Sequence, residues 1–361
     1  MAGIYVHIPF CKKRCLYCDF FSTTLLDRRK EYIDALIKEL RSDRIRELES
    51  IKTIYLGGGT PSTLEANDIK RIIDTIGSQG VEEITMELNP GDADIEYLKA
   101  IRQAGINRLS IGIQSFDDSL LRLIGRRHNA KQAVEAVKIA KEAGFDNISI
   151  DLMYALPTQT MEQWERTIDE ALSLNVQHIS SYGLMYENGT AMTQMMEQGQ
   201  IETIDEDTEN EMYDYLCERL KQVGFIHYEV SNFALQGYES KHNSAYWNNT
   251  PYLGIGAGSH SYVPPVRSWN PSNLDTYING INDGTLIRES ETLSEKDIYN
   301  ERIMLGLRVN RGIPDSFPIH SQGQMERYIR QGLLCKTDDN RIVATQKGIH
   351  ILNRIIEDLM I

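Results

Sequence analysis

Between residues 4 and 182 a short, β-branched apolar run alternates with an amphipathic helical pattern, and few folds accept such a repeat. The runs are Ile4 to Ile8, Thr53 to Leu56, Glu83 to Leu88, Arg108 to Ile113, Asn147 to Met153 and His178 to Tyr182. Helical patterns at Arg29 to Leu48, Glu65 to Ile76, Ile95 to Ala104, Ala130 to Ala143 and Met161 to Leu174 lie between them. Ala104-Gly105 and Ala143-Gly144 read as last helical turns followed by a C′ glycine. Strands joined through helices run parallel, so the expectation is an α/β fold with six βα units, a partial (β/α)6 TIM-like barrel. The length of 361 residues accommodates one large barrel domain and a small second one.

The unusual residues fall at one place in each unit. After the successive runs come a cysteine loop, then Gly57-Gly58-Gly59-Thr60-Pro61, Glu87-Leu88-Asn89-Pro90-Gly91, Gly112-Ile113-Gln114-Ser115-Phe116, Asp151 to Pro157 and Tyr182 to Thr190. Each sits at the carboxyl end of its strand, the face of a β/α barrel that carries the active site, so the motifs converge on one cavity.

Of five cysteines, Cys11, Cys15 and Cys18 lie within eight residues, while Cys217 and Cys335 are distant. Three thiolates at this spacing can ligate three irons of a 4Fe–4S cube and leave the fourth iron open to a small molecule. The same residues also admit a structural zinc, with His7 or Asp19 as fourth ligand, or cysteines that only pack; zinc, however, usually takes two separated pairs. Lys12, Lys13 and Arg14 inside the triplet would offset negative charge at the thiolates or form a solvated face.

Other positions carry related chemistry. Three successive glycines let ligand polar groups meet backbone, or make a tight turn. Glu87, an acid ending a buried-strand pattern, needs a cationic or hydrogen-bonding partner. Gln114, Arg126 and Asp151 follow the same logic, Arg126 by bidentate pairing with a carboxylate and Asp151 by accepting from ribose or amino groups. In His242-Asn243-Ser244-Ala245-Tyr246-Trp247 the imidazole is either an axial haem ligand flanked by stacking aromatics or a satisfied histidine in a packed aromatic segment. Gly254-Ile255-Gly256-Ala257-Gly258-Ser259-His260 lacks the dinucleotide spacing and reads as backbone that approaches the cluster or a ligand closely.

A helix is expected near Asp205 to Leu220, and Arg288 to Glu295 reads as a linker. Beyond it, helices at Glu295 to Gly306 and Gln324 to Gln331, a hairpin over Leu333 to Thr345 and a final helix from Gln346 to Met360 suggest a small helical, winged-helix-like domain. The expected division is 1–200 for the barrel with its cluster, 201–288 for an extension bearing the His242 motif, and 289–361 for the small domain. A net charge of −14 argues against a nucleic-acid backbone as partner and supplies no polybasic lipid anchor. No signal peptide or membrane-spanning apolar run is visible. Clustered free thiols imply a reducing compartment and so the cytoplasm, with contact to the inner membrane only through partners.

C-x-x-x-C-x-x-C directly after a β-like segment, with Tyr17 before the last cysteine, resembles the radical S-adenosylmethionine superfamily. That resemblance implies that the open iron is chelated by S-adenosyl-L-methionine, whose sulfonium is cleaved to a 5′-deoxyadenosyl radical. It also implies S-adenosylmethionine contacts from Gly58, Gly59 and Thr60. The string Y-x-H-I-P-F-C resembles the oxygen-independent coproporphyrinogen III oxidase branch, where residues matching Tyr5, Tyr17, Glu87, Gln114, Arg126 and Asp151 contact one or a second S-adenosylmethionine. The oxidase carries a further cysteine two residues after the third. Phe20 stands there in this chain and resembles the sister family of HemW haem chaperones, in which H-N-x-x-Y-W also occurs.

The resemblance implies a haem chaperone that binds a 4Fe–4S cluster, S-adenosylmethionine and haem, with His242 as haem ligand. Haem would pass to acceptor haemoproteins, membrane respiratory enzymes among them; a homodimer is compatible with this. The alternative implied by the branch is radical decarboxylation of two propionates of coproporphyrinogen III to give protoporphyrinogen IX. Phe20 and a chain that starts ten residues before the first cysteine both weigh against it.

Overall fold

The computed structural model describes every residue except Met1, Asp43, Arg46, Glu47 and Glu49. At its centre six parallel strands lie side by side in sequence order: β1 (Ala2–Ile8), β2 (Ile51–Gly58), β3 (Glu83–Leu88), β4 (Arg108–Gln114), β5 (Ile148–Tyr154) and β6 (His178–Gly183). They are joined through α1 (Arg29–Leu40), α2 (Ala66–Ile76), α3 (Ile95–Gln103), α4 (Asp118–Leu123) with α5 (Ala130–Glu142), and α6 (Met161–Ser173). The helix starts follow their side chains. Asp94 accepts from the Tyr97 amide at α3, and Asn129–Gln132 and Thr160–Gln163 form capping boxes at α5 and α6. Gly105 and Gly144 take positive φ just past α3 and α5, as expected for C′ glycines.

The sheet stays open, a partial barrel. At one edge β6 is followed by antiparallel β8 (Asn232–Ala234) and β7 (Ile226–Glu229), reached through α7 (Ala191–Glu197) and α8 (Glu206–Gln222). At the other edge α9 (Lys241–Trp247) precedes β9 (Tyr252–Ile255), which runs parallel to β1. Then come antiparallel β10 (His260–Val263) and β11 (Val266–Trp269), α10 (Leu274–Asp283), and β12 (Glu289–Thr292) on β11.

Period-two alternation sorts the central strands into two faces. Val6, Ile8, Leu56, Met86, Ile111 and Ile150 belong to the main core cluster, shared with the outer helices. Their alternates, Tyr5, His7, Tyr55, Glu87, Ser110 and Asp151, face the interior and bond one another there: Tyr55 Oη donates to Glu87 at 3.0 Å and Ser110 Oγ to Asp151 at 3.1 Å. The barrel is apolar outside and polar inside.

The last segment has its own core around Ile303, Tyr328, Ile342 and Ile355. It comprises α11 (Glu295–Gly306), β13 (Ile313–Pro314), α12 (Gln322–Arg330), the β14 (Leu334–Lys336) and β15 (Arg341–Ala344) hairpin, α13 (Gln346–Ile349) and α14 (Leu352–Leu359). The three strands make a separate sheet in the order β13-β15-β14. Backbone bonds from Val230 N to Arg308 O (2.9 Å) and from Asn310 N to Tyr228 O (3.1 Å) dock the segment on β7.

Three expectations differ from the structure. The first helix, expected to reach Leu48, ends at Leu40, because the apolar stripe of Ile33, Leu36, Ile37 and Leu40 meets Asp, Arg and Glu at 43, 44 and 47; part of that expected span lies outside the described residues. The final helix is broken at His350 and Ile351, just after Gly348 packs directly on the Leu333 carbonyl. The Gly254 to His260 run approaches protein: a Cβ at Gly254 would overlap the His260 backbone, and one at Gly256 the Tyr32 hydroxyl. Among the described residues no helix is long and apolar enough to cross a membrane.

Candidate functional site at the barrel mouth

The cysteine loop leaves the carboxyl end of β1 and is pinned by backbone bonds on three sides. Cys11 N donates to Thr23 O (2.8 Å), Leu16 N to Ile124 O (3.1 Å) and Met192 N to Leu16 O (2.9 Å). All three thiols are free; Cys11 is buried, Cys15 and Cys18 half-buried. Thr60 Oγ1 donates to Cys11 Sγ and Arg126 Nη1 to Cys15 Sγ, both at 3.4 Å. Burial pushes the Cys11 thiol up and Cys18 up to about 11, with the neighbouring thiols adding to both shifts.

The thiols are therefore close enough to sense one another. Yet no three His, Cys, Asp or Glu side chains among the described residues converge as a single metal ion requires. That arrangement suits a polynuclear cluster, whose irons occupy separate corners, better than zinc with His7 or Asp19. His7 is moreover occupied, sharing hydrogen bonds with Tyr5 Oη (3.0 Å) and the Phe21 carbonyl (2.8 Å). Within the basic run Lys12 pairs with Asp92 at 2.8 Å and the Arg14 charge lowers the Cys11 thiol, while Arg126, from outside the run, touches Cys15 Sγ.

Behind the loop, the glycines of β2 pack against β1. Gly59 N donates to Ile8 O (2.8 Å), and a Cβ at Gly59 would come 2.8 Å from the Pro9 carbonyl carbon. Gly58 has φ +114°, closed to side chains, and a Cβ there would strike the His7 ring. Gly58 N donates to Glu87 at 3.1 Å. Glu87 is half-buried, and burial, then the Asp151 charge, pushes its carboxyl up to about 7. Burial also raises Asp151, against hydrogen bonds from Ser110 and Ser180. Two buried carboxyls whose charged forms are disfavoured at a mouth gain from a positively charged partner.

Arg126 donates through Nη2 to the Gly112 carbonyl, while its Nε has no partner among the described residues. Tyr17 lies against Arg126 and Cys15, and burial raises its phenol. Gln114, at φ +70°, turns beside Gly112. The structure thus brings Tyr5, Tyr17, Gly58, Gly59, Thr60, Glu87, Gln114, Arg126 and Asp151 to the carboxyl end and interior of the barrel, next to the three thiols.

His242 lies elsewhere. It is on α9, which packs at the opposite end. Glu83, the first residue of β3, accepts from the Lys241 and His242 amides, both at 2.9 Å. The imidazole is 1% exposed, stacked on Tyr55, with Nδ1 bonded to Thr53 Oγ1 at 2.8 Å and Nε2 to Tyr246 Oη at 2.9 Å. Burial, then the Arg108 charge, lowers it to about 3, so it is neutral. Ligation through Nε2 requires the Tyr246 bond to open.

Reading motifs alone missed the interior residues Tyr55, Arg108, Ser110, His178 and Ser180. Each occupies the inward parity of its strand, a signal present in the sequence once the runs are split by alternation.

Residues 5–171 match the Radical SAM superfamily and 293–351 the HemN C-terminal domain. The chain is 38% identical over 371 aligned positions to the haem chaperone HemW of Lactococcus lactis, covering 99% of this chain and 97% of that protein. It is 38% identical to HemW of Bacillus subtilis over 87% of this chain and 85% of that one. Among solved structures, coproporphyrinogen III oxidase (HemN) from Escherichia coli, a radical SAM enzyme, superposes with a TM-score of 0.81, covering 99% of this chain and 90% of that chain. At 23% identity this likeness concerns the fold alone.

Proposed function

Since this chain belongs to the HemW haem chaperone family of radical S-adenosylmethionine proteins, we propose that it carries haem to acceptor haemoproteins, from a scaffold that also binds a 4Fe–4S cluster and S-adenosylmethionine. The observation that carries the cluster part is the trio of free thiols on one loop at the barrel mouth, beside two carboxyls raised by burial. Cys11, Cys15 and Cys18 would hold the cluster, which when bound supplies an iron with an open coordination position. Arg126 donates to Cys15 Sγ, and Thr60 donates to Cys11 Sγ and so lowers that thiol against burial.

Glu87 and Asp151 would receive the positive charge of S-adenosylmethionine, Gly58 and Gly59 would offer backbone to it, and Tyr5, Tyr17, Gln114 and Arg126 would complete its surroundings. His242 is the proposed haem ligand, with Tyr246 as the hydroxyl that must let it go. Phe20, 63% exposed on the cysteine loop, puts an aromatic ring where the oxidase family has a cysteine. The acceptors are proposed to include membrane respiratory enzymes met from the cytoplasmic side.

The test is an anaerobic haem titration of cluster-reconstituted protein, following the Soret band in wild type and in His242→Ala. Saturable, near-stoichiometric binding that weakens by about tenfold or more in the variant is expected. No saturable binding by wild type would refute haem carriage.

A further inference from the structure

Arg108 opens β4 with its guanidinium inside the barrel, and it is 1% exposed. Among the described residues no hydrogen bond or ion pair reaches it, and its Nε is buried without a partner. A buried cation left so costs folding free energy unless something pairs it. No interior acid bonds it directly, although its charge reaches Asp151. Glu83 caps α9, Glu87 accepts from Tyr55 and Gly58, Asp151 from Ser110 and Ser180, and Glu229 from Ser231 and Asn232. Burial pushes Glu87 and Glu229 up to about 7, and the hydrogen bonds of all four acids are spent on other donors.

A second orphan lies alongside. Thr85 is the register partner of Arg108 across β3 and β4, and its buried Oγ1 also has no partner among the described residues. Tyr55, the register partner of Thr85, carries the stacked His242 ring, and the Arg108 charge reaches that ring. An unpaired guanidinium and an unpaired hydroxyl thus stand side by side at the barrel floor, next to the proposed haem ligand.

We propose that Arg108 and Thr85 form a buried carboxylate subsite that takes a propionate of the bound haem. A propionate ends in the planar acceptor that a guanidinium binds through two hydrogen bonds. The subsite rests on the haem-carrying function proposed above. S-adenosylmethionine also bears a carboxylate, so the test separates the two sources.

Cluster-reconstituted full-length protein is titrated anaerobically with haem, with haem dimethyl ester and with S-adenosylmethionine, in wild type and Arg108→Gln. Wild type is expected to bind haem about tenfold or more tighter than the ester, and the substitution to remove that preference while leaving S-adenosylmethionine affinity unchanged. Equal affinity of wild type for haem and ester overturns the subsite and leaves haem carriage standing; absence of saturable haem binding overturns both. Loss of S-adenosylmethionine affinity with haem affinity retained assigns the carboxylate to the nucleoside and overturns the propionate. If circular dichroism shows Arg108→Gln unfolded, the wild-type comparison still decides, and Arg108→Lys is expected to keep part of the preference.

Discussion

Glu87 offers the sharpest test of the mouth as a receptor for a cationic nucleoside, because its protonation is set by burial. Its carboxyl stands at about 7 in the folded protein against 4.5 unperturbed. With the folded value raised, its contribution to stability is fully present below about pH 4.5 and lost as pH rises through 7, about 3 kcal/mol over that window. A ligand bringing positive charge reverses the preference and selects the carboxylate. If binding requires Glu87 ionised, the dissociation constant scales as one plus the protonated-to-ionised ratio of the free protein, giving a value about tenfold weaker at pH 6 than at pH 8. The Asp151 charge adds to the shift, so the measured midpoint reports the interacting pair. Calorimetric titration of S-adenosylmethionine into cluster-reconstituted protein at pH 6, 7 and 8 reads the slope directly. The ligand's own amine also titrates, so the same series on Glu87→Gln provides the reference. An equal slope in the variant, or no slope in wild type, would show that Glu87 does not receive the charge.

Two further outcomes follow from named contacts. Glu39, with no side-chain exposure, accepts from Gly256 N, Asn270, Tyr277, Arg44 and Arg288, tying α1 to the glycine run and α10. Glu39→Gln puts an amide NH2 against donors and is expected to cost about 3 kcal/mol or more in urea unfolding; under about 1 kcal/mol would mean that the network relaxes freely. Cys15→Ser should abolish iron retention on reconstitution while changing apo stability by only about 0.5 kcal/mol, since the thiol is half-buried; iron retained at wild-type levels would remove Cys15 from the cluster.

The six central strands and the convergence of motifs on their carboxyl ends were legible because periodicity and glycine punctuation are local signals. What stayed hidden depends on distant partners. His242 meets Thr53 across 189 residues, and nothing around either position marks the other. The four-residue strands β9 to β12 are too short to carry a period. The short helices α4 and α7 are likewise fixed by their Asp117 and Thr190 caps more than by an apolar stripe. The polar interior was obscured for another reason. In β2 and β4 the buried outer face is so apolar that Tyr55, Arg108 and Ser110 read as interruptions of a hydrophobic run, when they are the lining of the cavity.

The interior also links the two ends of the barrel, which governs how variants there are interpreted. From the cysteine loop, the Phe21 carbonyl bonds His7, and His7 bonds Tyr5. The Tyr5 phenol is raised by burial and then by Glu87 and Tyr246, and Tyr246 bonds His242 at the floor. Deleting the imidazole therefore frees Tyr246 beside the residues proposed to hold S-adenosylmethionine, and opens space next to Gly3 and Thr53. Weaker haem binding by His242→Ala identifies a lost iron ligand only when S-adenosylmethionine affinity is unchanged in the same protein. If both affinities fall together, the motif acts by holding Tyr246 in the barrel, and the iron ligand must be sought elsewhere.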